Sequence, residues 1–383
     1  MNRLPILHRD QAEFKALMQE ASNEYNIGEA MIEKDYWVTW CINYLFGHSP
    51  WRDRLGFKGG TCMAKAYDVI SRFSEDVDIL LDWRLLGYRA KEPMEPTSNR
   101  KRDLMKKDMN ERTVMYLAED MLPVMQRDVL EMLGPEFRVY IAENDPMSIQ
   151  FEYPKVFSPD PNILSTVKLE IGPMSQWSQL TPQPITSMID KAIPGVNIFT
   201  PIPVLSVSPE RTFWDKVSIL QNVSHWRDKN PTREIKDRYS RHYYDVYRIL
   251  NSPYRDACLA NTDLFFEAMD FSARFYPVTT FDYKEIDFSN LQLEIPQSLL
   301  PALKLDYERM KGMLFGDKPS FDTIYQSILA FKEELRATVQ HDKGSQTHTA
   351  PLDSRIADAS QRSVSKAVPF PKAPSMTDKD LDL

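Results

Sequence analysis

Asp76 and Asp78 stand two residues apart at the head of an apolar run that continues through Ile79, Leu80 and Leu81. On a strand, positions i and i+2 share one side, so the two carboxylates project together. Carboxylates held that close repel each other and favour a divalent cation. Magnesium suits such a pair: it takes oxygen ligands, usually one or two carboxylates plus substrate phosphates. Upstream lies Gly59-Gly60-Thr61, and three of the chain's 12 glycines (Gly56, Gly59, Gly60) fall within five residues. A glycine turn feeding a helix start presents free N–H groups to an anion. Thr61 adds a hydroxyl, and Lys65, one turn further on, is within reach of a phosphate. Glu170, in Val167-Lys168-Leu169-Glu170-Ile171, alternates with apolar neighbours and supplies a candidate third carboxylate for a two-metal site. Each feature also has a plain structural reading: a turn, a charged strand, an ordinary strand glutamate. It is their order, phosphate cradle then carboxylate pair 15 to 19 residues on, that points to phosphate chemistry.

These residues need elements to hold them. The spacing predicts helices over 8–47, broken near Gly28, then a strand at 57–61, a helix at 62–73 and a strand at 77–81. A polar loop is expected over 87–103, with a long helix from about 103 to 133. Strands follow at 138–141, 148–153 and 166–172, the last two suggesting a returning antiparallel pair. Residues 154–165 and 173–207 read as Pro-rich connections with short strands. Ser208-Pro209 is a good helix start, a cap followed by the first turn, for a helix to about Asn222. Further helices are expected at 238–250, 253–275 and 318–338. The division expected is a core at 1–205 with its N-terminal helices, a helical domain at 206–340, and a disordered tail at 341–383, which has too few large apolar residues to offset ordering entropy.

Composition narrows the class. The chain has 383 residues with 47 Lys+Arg against 55 Asp+Glu, net −8. Its length supports a sizeable core. Three scattered cysteines make neither a disulfide framework nor a zinc site and suggest a reducing cytoplasm. The opening residues lack an apolar signal region, and no run is long and apolar enough to span a membrane. The charge is uneven. Residues 84–112 carry nine basic and five acidic groups, and 227–248 seven and four. Such strips suit phosphate backbones, though solvated helix faces have the same composition.

Phe57-Lys58-Gly59-Gly60-Thr61 with Lys65, followed by Arg72-Phe73-Ser74-Glu75-Asp76-Val77-Asp78, resembles the AbiEii/AbiGii-type nucleotidyltransferase toxins of the polymerase β-like superfamily. Glu210-Arg211-Thr212-Phe213-Trp214-Asp215-Lys216 is similar to that family's helix with an active-site lysine. Arg241-His242-Tyr243-Tyr244-Asp245-Val246-Tyr247 is similar to its later helix with an aspartate, and Glu33-Lys34-Asp35-Tyr36 to its opening. The resemblance covers roughly 30 to 335. Cys62-Met63 departs from the usual small-then-Leu pairing, and the 84–112 segment and the tail lie outside it.

What the resemblance implies is an α+β fold: a mixed-sheet nucleotidyltransferase core with flanking helices and a helical C-terminal domain. It implies transfer of a nucleoside monophosphate from an NTP to an acceptor hydroxyl, with Mg2+ or Mn2+ held by Asp76, Asp78 and Glu170. Gly59, Gly60, Thr61, Lys65, Ser74 and Lys216 would bind the nucleotide. Asp76, Asp78, Lys216 and Asp245 would be catalytic, Asp245 by orienting Lys216 or by accepting a proton. Lys216 could instead be a snorkelling surface lysine, and Asp245 an i,i+4 partner of Arg241. His242 reads as structural. Trp214, Trp226 and Tyr243 could stack on a base but suit a core equally. The expected acceptor is RNA, the 3′ end of tRNA in particular, with a protein hydroxyl or a binding-only subunit of a defence operon as alternatives. A cytoplasmic toxin of a toxin–antitoxin, abortive-infection (phage-defence) type, with an antitoxin encoded next door, completes the expectation.

Overall fold

The computed structural model describes residue 8 and residues 10–74, 76–89, 92–94, 98–158, 166–173, 180–225, 234–276, 278 and 281–344. Trp226, the basic residues at 227–233 and the tail from 345 lie outside the described residues.

The chain opens with two helices, α1 (Gln11–Tyr25) and α2 (Glu29–Asn43). Asp10 caps α1 by accepting from the Ala12 and Glu13 N–H groups, and Asn26 closes it in the left-handed region. Next come β1 (Leu55–Lys58), α3 (Gly59–Lys65) and β2 (Asp76–Leu81). Then α4 (Asn99–Tyr116) runs through a π turn at 117–121 into α5 (Leu122–Met132). That turn ends at Met121, two residues before Pro123, which lacks the N–H an unbroken helix would use. Four strands follow, β3 (Arg138–Ala142), β4 (Asp145–Glu152), β5 (Thr166–Gly172) and β6 (Leu180–Pro184), then α6 (Met188–Ala192) and β7 (Pro203–Val207). The rest is helical: α7 (Pro209–Ser224), α8 (Arg241–Leu250), α9 (Arg255–Ala260), α10 (Asp263–Phe275), α11 (Leu300–Met310) and α12 (Phe321–Gly344).

The seven strands form one mixed sheet in the order β3-β4-β5-β2-β1-β7-β6. β2 lies at its centre, antiparallel to β1 and parallel to β5. The expected return of β4 on β5 is present, antiparallel, with Ser148 opposite Glu170. Register and alternation together sort the two faces. Val77, Ile79 and Leu81 of β2 share a buried face with Val167, Leu169 and Ile171 of β5 and with Ile149 and Phe151 of β4. Against this face pack Trp37 and Trp40 of α2, with centroids 5.8 and 5.5 Å from the Phe151 ring. Such ring pairs add about 0.5–1.5 kcal/mol each beyond their area burial. The opposite face carries Asp76, Asp78, Lys168 and Glu170, and beyond them a small buried apolar cluster of Leu80, Leu180 and Val207.

Several sequence expectations are corrected. The predicted strand at 57–61 is β1, which ends at Lys58, and Gly59-Gly60 are the first residues of α3 rather than a turn before it. The predicted helix at 62–73 stops at Lys65. Asp68 takes φ 55°, and the segment after it is recruited by the far end of the chain. The Phe73 N–H donates to the Met313 carbonyl (2.7 Å) and the Phe315 N–H to the Ser71 carbonyl (3.0 Å). Those partners lie some 240 residues away, so the apolar spacing of Ile70 and Phe73 could not reveal them. In addition, α11 falls where no helix was expected, and the long helix begins at Asn99 inside the expected loop.

Candidate active site

Two elements aim carboxylates at one cleft. Asp78 on β2 and Glu170 on β5 are register partners across a parallel pair, and Lys58 on β1 faces Asp78 across the antiparallel pair. All three line a cleft of about 280 Å³ whose other walls include Asn110 of α4 and Tyr276 just beyond α10. Burial pushes the Asp78 carboxyl up, Lys58 opposes this, and Glu170 adds to it. Lys58 has no ion-pair partner among the described residues.

Gly59 makes this geometry possible. Its φ is +80°, and a methyl group there would lie 2.0 Å from Asp78 Oδ2. Only glycine meets both demands without strain. Gly60 is pressed the same way by a different residue: a methyl group there would meet Arg72 Nη2 at 2.3 Å. Thr61 Oγ1 donates to the Asp76 carbonyl (2.5 Å), tying α3 to the start of β2. Ser74 lies beside Gly60, its Oγ 3.3 Å from the same methyl position.

The helical part of the chain contributes a second charged group. Ser208 caps α7 by accepting from the Arg211 N–H (3.3 Å), and Phe213, Trp214, Val217 and Leu220 bury one face of it. That orientation turns Lys216 toward α8, where Lys216 Nζ lies 2.8 Å from Asp245 Oδ2. Arg72 meets the same carboxylate in a two-pronged pair, Nε to Oδ1 at 2.8 Å and Nη2 to Oδ2 at 2.9 Å. Asp245 is fully buried. Burial alone would raise its pKa, but Arg72 and Lys216 hold it well below the usual carboxylate range. Burial lowers the Lys216 pKa, with Asp245 opposing the shift. The i,i+4 alternative for Asp245 does not form: Arg241 has no ion-pair partner among the described residues, and it adds positive charge toward both Lys216 and Asp78.

Not every expected residue joins this group. Lys65 Nζ donates to Asp35 Oδ1 (2.6 Å) and Thr39 Oγ1 (2.8 Å) on α2, inside the protein. Glu170 Oε1 is 2.6 Å from Lys168 Nζ, which also holds Asp145 (2.8 Å). Among the described residues no three His, Cys, Asp or Glu side chains converge as a metal group. The residues that could hold a cation are Asp76 and Asp78, on one side of β2, with Glu170 opposite Asp78 on β5. Trp214 and Tyr243 are core residues, the Trp214 indole donating to the Cys258 carbonyl (3.1 Å). Burial, then Lys216 and Arg241, push His242 well below its ordinary pKa, so it is neutral at physiological pH.

Four contributors lacked an assigned role in the sequence: Lys58, Arg72, Asn110 and Tyr276. Lys58 and Arg72 lie inside the two motifs, and their nearness to the glycines was a usable signal. Asn110 and Tyr276 gave none, because only folding brings them to the cleft. No helix among the described residues is long and apolar enough to cross a membrane.

Comparison with known proteins follows the same lines. A family model described as "Nucleotidyl transferase AbiEii toxin, Type IV TA system" matches residues 43–327. No curated protein sequence matches the chain. Among solved structures it is similar to MenT4, a nucleotidyltransferase toxin from Mycobacterium tuberculosis H37Rv, with TM-score 0.48 and 14% identity over 89% of this chain and 98% of that one.

Proposed function

We propose that this chain, which belongs to the AbiEii nucleotidyl transferase toxin family of type IV toxin–antitoxin systems, transfers a nucleoside monophosphate from an NTP to a hydroxyl of an RNA, the 3′ end of a tRNA in particular. Membership makes it a nucleotidyltransferase and implies an antitoxin partner. The RNA acceptor, the magnesium ion, the neighbouring antitoxin gene, a part in phage defence and the cytoplasmic setting are our reading. The observation that carries the acceptor is the cleft over Asp78 and Glu170, to which α4 contributes Asn110; the same helix holds five basic residues and one acidic between Asn99 and Lys107.

In this reading the acceptor oxygen forms a bond to the α-phosphorus, the bond to pyrophosphate breaks, and the hydroxyl proton passes to water. Asp76 and Asp78 would hold magnesium, which supplies charge neutralisation of the triphosphate and a more acidic acceptor hydroxyl. Gly59 keeps the Asp78 carboxylate close to α3. Lys216 and Arg241 supply cationic donors for phosphate oxygens as charge develops on the leaving group. Asp245 acts by position: ionised and saturated by Arg72 and Lys216, it is a poor proton acceptor and a firm anchor for the lysine. Thr61 and Lys65 serve the frame, joining α3 to β2 and to α2.

The test is incubation of the purified protein with bulk tRNA, magnesium and each labelled NTP in turn, alongside Asp78→Ala. Label entering RNA from one NTP, and lost in the variant, supports the proposal. Label entering only protein from a host lysate would replace RNA by a protein acceptor. No label in either would leave the binding-only reading.

A further inference from the structure

Tyr276 is a large aromatic residue that the fold leaves 53% exposed, and it lines the same cleft as Asp78 and Glu170. Its position is built rather than incidental. Lys106 of α4 donates to the Phe275 carbonyl, and its Nζ lies 4.8 Å from the Tyr276 ring centroid. Phe271 of α10 packs on the ring edge at 5.7 Å. α4 is thus fastened to the end of α10 at the point where the ring emerges. Asn110, one helical turn beyond Lys106 on the same face, is the α4 residue that lines the cleft. Arg102 lies one turn the other way, and Arg100, Lys101 and Lys107 are exposed on the same helix.

The arrangement is a cationic helix leading to an aromatic ring, then an amide, then the carboxylates. Single-stranded nucleic acid is held by that combination, with cations along the backbone and an aromatic face under a base. We propose that Tyr276 is the stacking platform for the terminal base of the acceptor strand, with the Asn110 amide on the base edge and the α4 cations on the preceding phosphates. This rests on the RNA-acceptor reading above and deepens it. The ring orients the last nucleotide so that its hydroxyl meets the site. Stacking accepts any base, so Asn110 is the group placed to discriminate among them.

The experiment is steady-state transfer from labelled NTP to bulk tRNA by wild type, Tyr276→Ala, Tyr276→Phe and Asn110→Ala. Loss of one stacking contact is expected to raise the KM for tRNA about 5- to 150-fold. The KM for NTP is expected to stay unchanged, and Tyr276→Phe to stay close to wild type. A second readout is independent of turnover: an RNA hairpin with 2-aminopurine as its 3′-terminal base should lose fluorescence on binding wild type and not on binding Tyr276→Ala. Wild type that labels RNA, with Tyr276→Ala unchanged in tRNA KM and in quenching, would overturn the platform while leaving the RNA acceptor intact. A variant that raises both KM values together would also overturn it, because the ring would then be structural. Wild type that labels protein and not RNA removes the acceptor reading and this proposal with it.

Discussion

Asp245→Asn is the sharpest perturbation of the charged group between the sheet and the C-terminal helices. The wild-type carboxylate has no exposed surface and receives three short contacts, two from Arg72 and one from Lys216. Asparagine keeps the size but offers one oxygen and an amide that must donate. One cation then keeps a neutral acceptor and the other faces an N–H group, both far from water. Removing one member of a buried ionic group costs about 3–5 kcal/mol, a large part of a typical stability of about 5–15 kcal/mol. Activity should fall about 10²–10³-fold, the usual effect of losing one positioned donor, because Lys216 loses its anchor. The assay is urea unfolding of wild type, Asp245→Asn, Arg72→Gln and the double variant. If the three side chains act as one unit, the double variant is less destabilised than the sum of the singles by about 1 kcal/mol or more. The pH dependence has a definite sign. The folded pKa of Asp245 lies below its unfolded value near 3.9. Its contribution is therefore full above that value and is lost as pH falls through the folded pKa, so the wild-type and Asp245→Asn stabilities should converge in acid. Additive costs within about 0.5 kcal/mol, with an Asp245→Asn midpoint equal to wild type, would refute the reasoning.

Other changes separate chemistry from framework. Gly59→Ala forces a side chain into the left-handed region, at about 1–2 kcal/mol, and displaces Asp78; turnover should drop about 10- to 100-fold with a small change in Tm, and wild-type kcat would show that the close approach is dispensable. Asp78→Asn should be inactive yet melt above wild type at neutral pH. Burial and Glu170 raise the folded pKa of Asp78 above its unfolded value, so ionising it costs the fold stability as pH rises through that interval; equal or lower Tm by calorimetry would contradict this. Lys58→Met removes the cation that opposes that shift, so an acid limb of the pH–rate profile set by Asp78 should move to higher pH, and an unmoved limb would show that Asp78 does not set it. Lys65→Met strands Asp35 and should cost about 3–5 kcal/mol in unfolding experiments while leaving the KM for NTP unchanged; a raised KM in folded protein would return Lys65 to the phosphates.

The chain's own text carried a good deal of this. Alternation in β2 and β5 announced which side Asp76, Asp78 and Glu170 would take, because strand geometry has a period of two and needs no partner to define it. Ser208-Pro209 announced α7 for an equally local reason, since a cap acts within its first turn. The order of the motifs, read against one family, pointed to Lys216 and Asp245 although some 140 residues separate Lys216 from the first aspartate.

What the text could not carry were choices between equally good local options. Asp245 had Arg241 one turn away and took Arg72 and Lys216 instead, because folding buried the carboxylate between those two. Lys65 was in the right place for a phosphate and found Asp35, a residue on a helix packed behind α3. Ile70 and Phe73 had helical spacing and became extended backbone, because Met313 and Phe315 offered their main-chain groups a better partner than the next turn did. Asn110 and Tyr276 belong to no motif and meet at the cleft only because Lys106 fastens one helix to the end of another. Periodicity and capping act over a few residues and are legible in order. Ion pairs and cleft walls depend on which surfaces meet, and only the packed sheet and helices decide that.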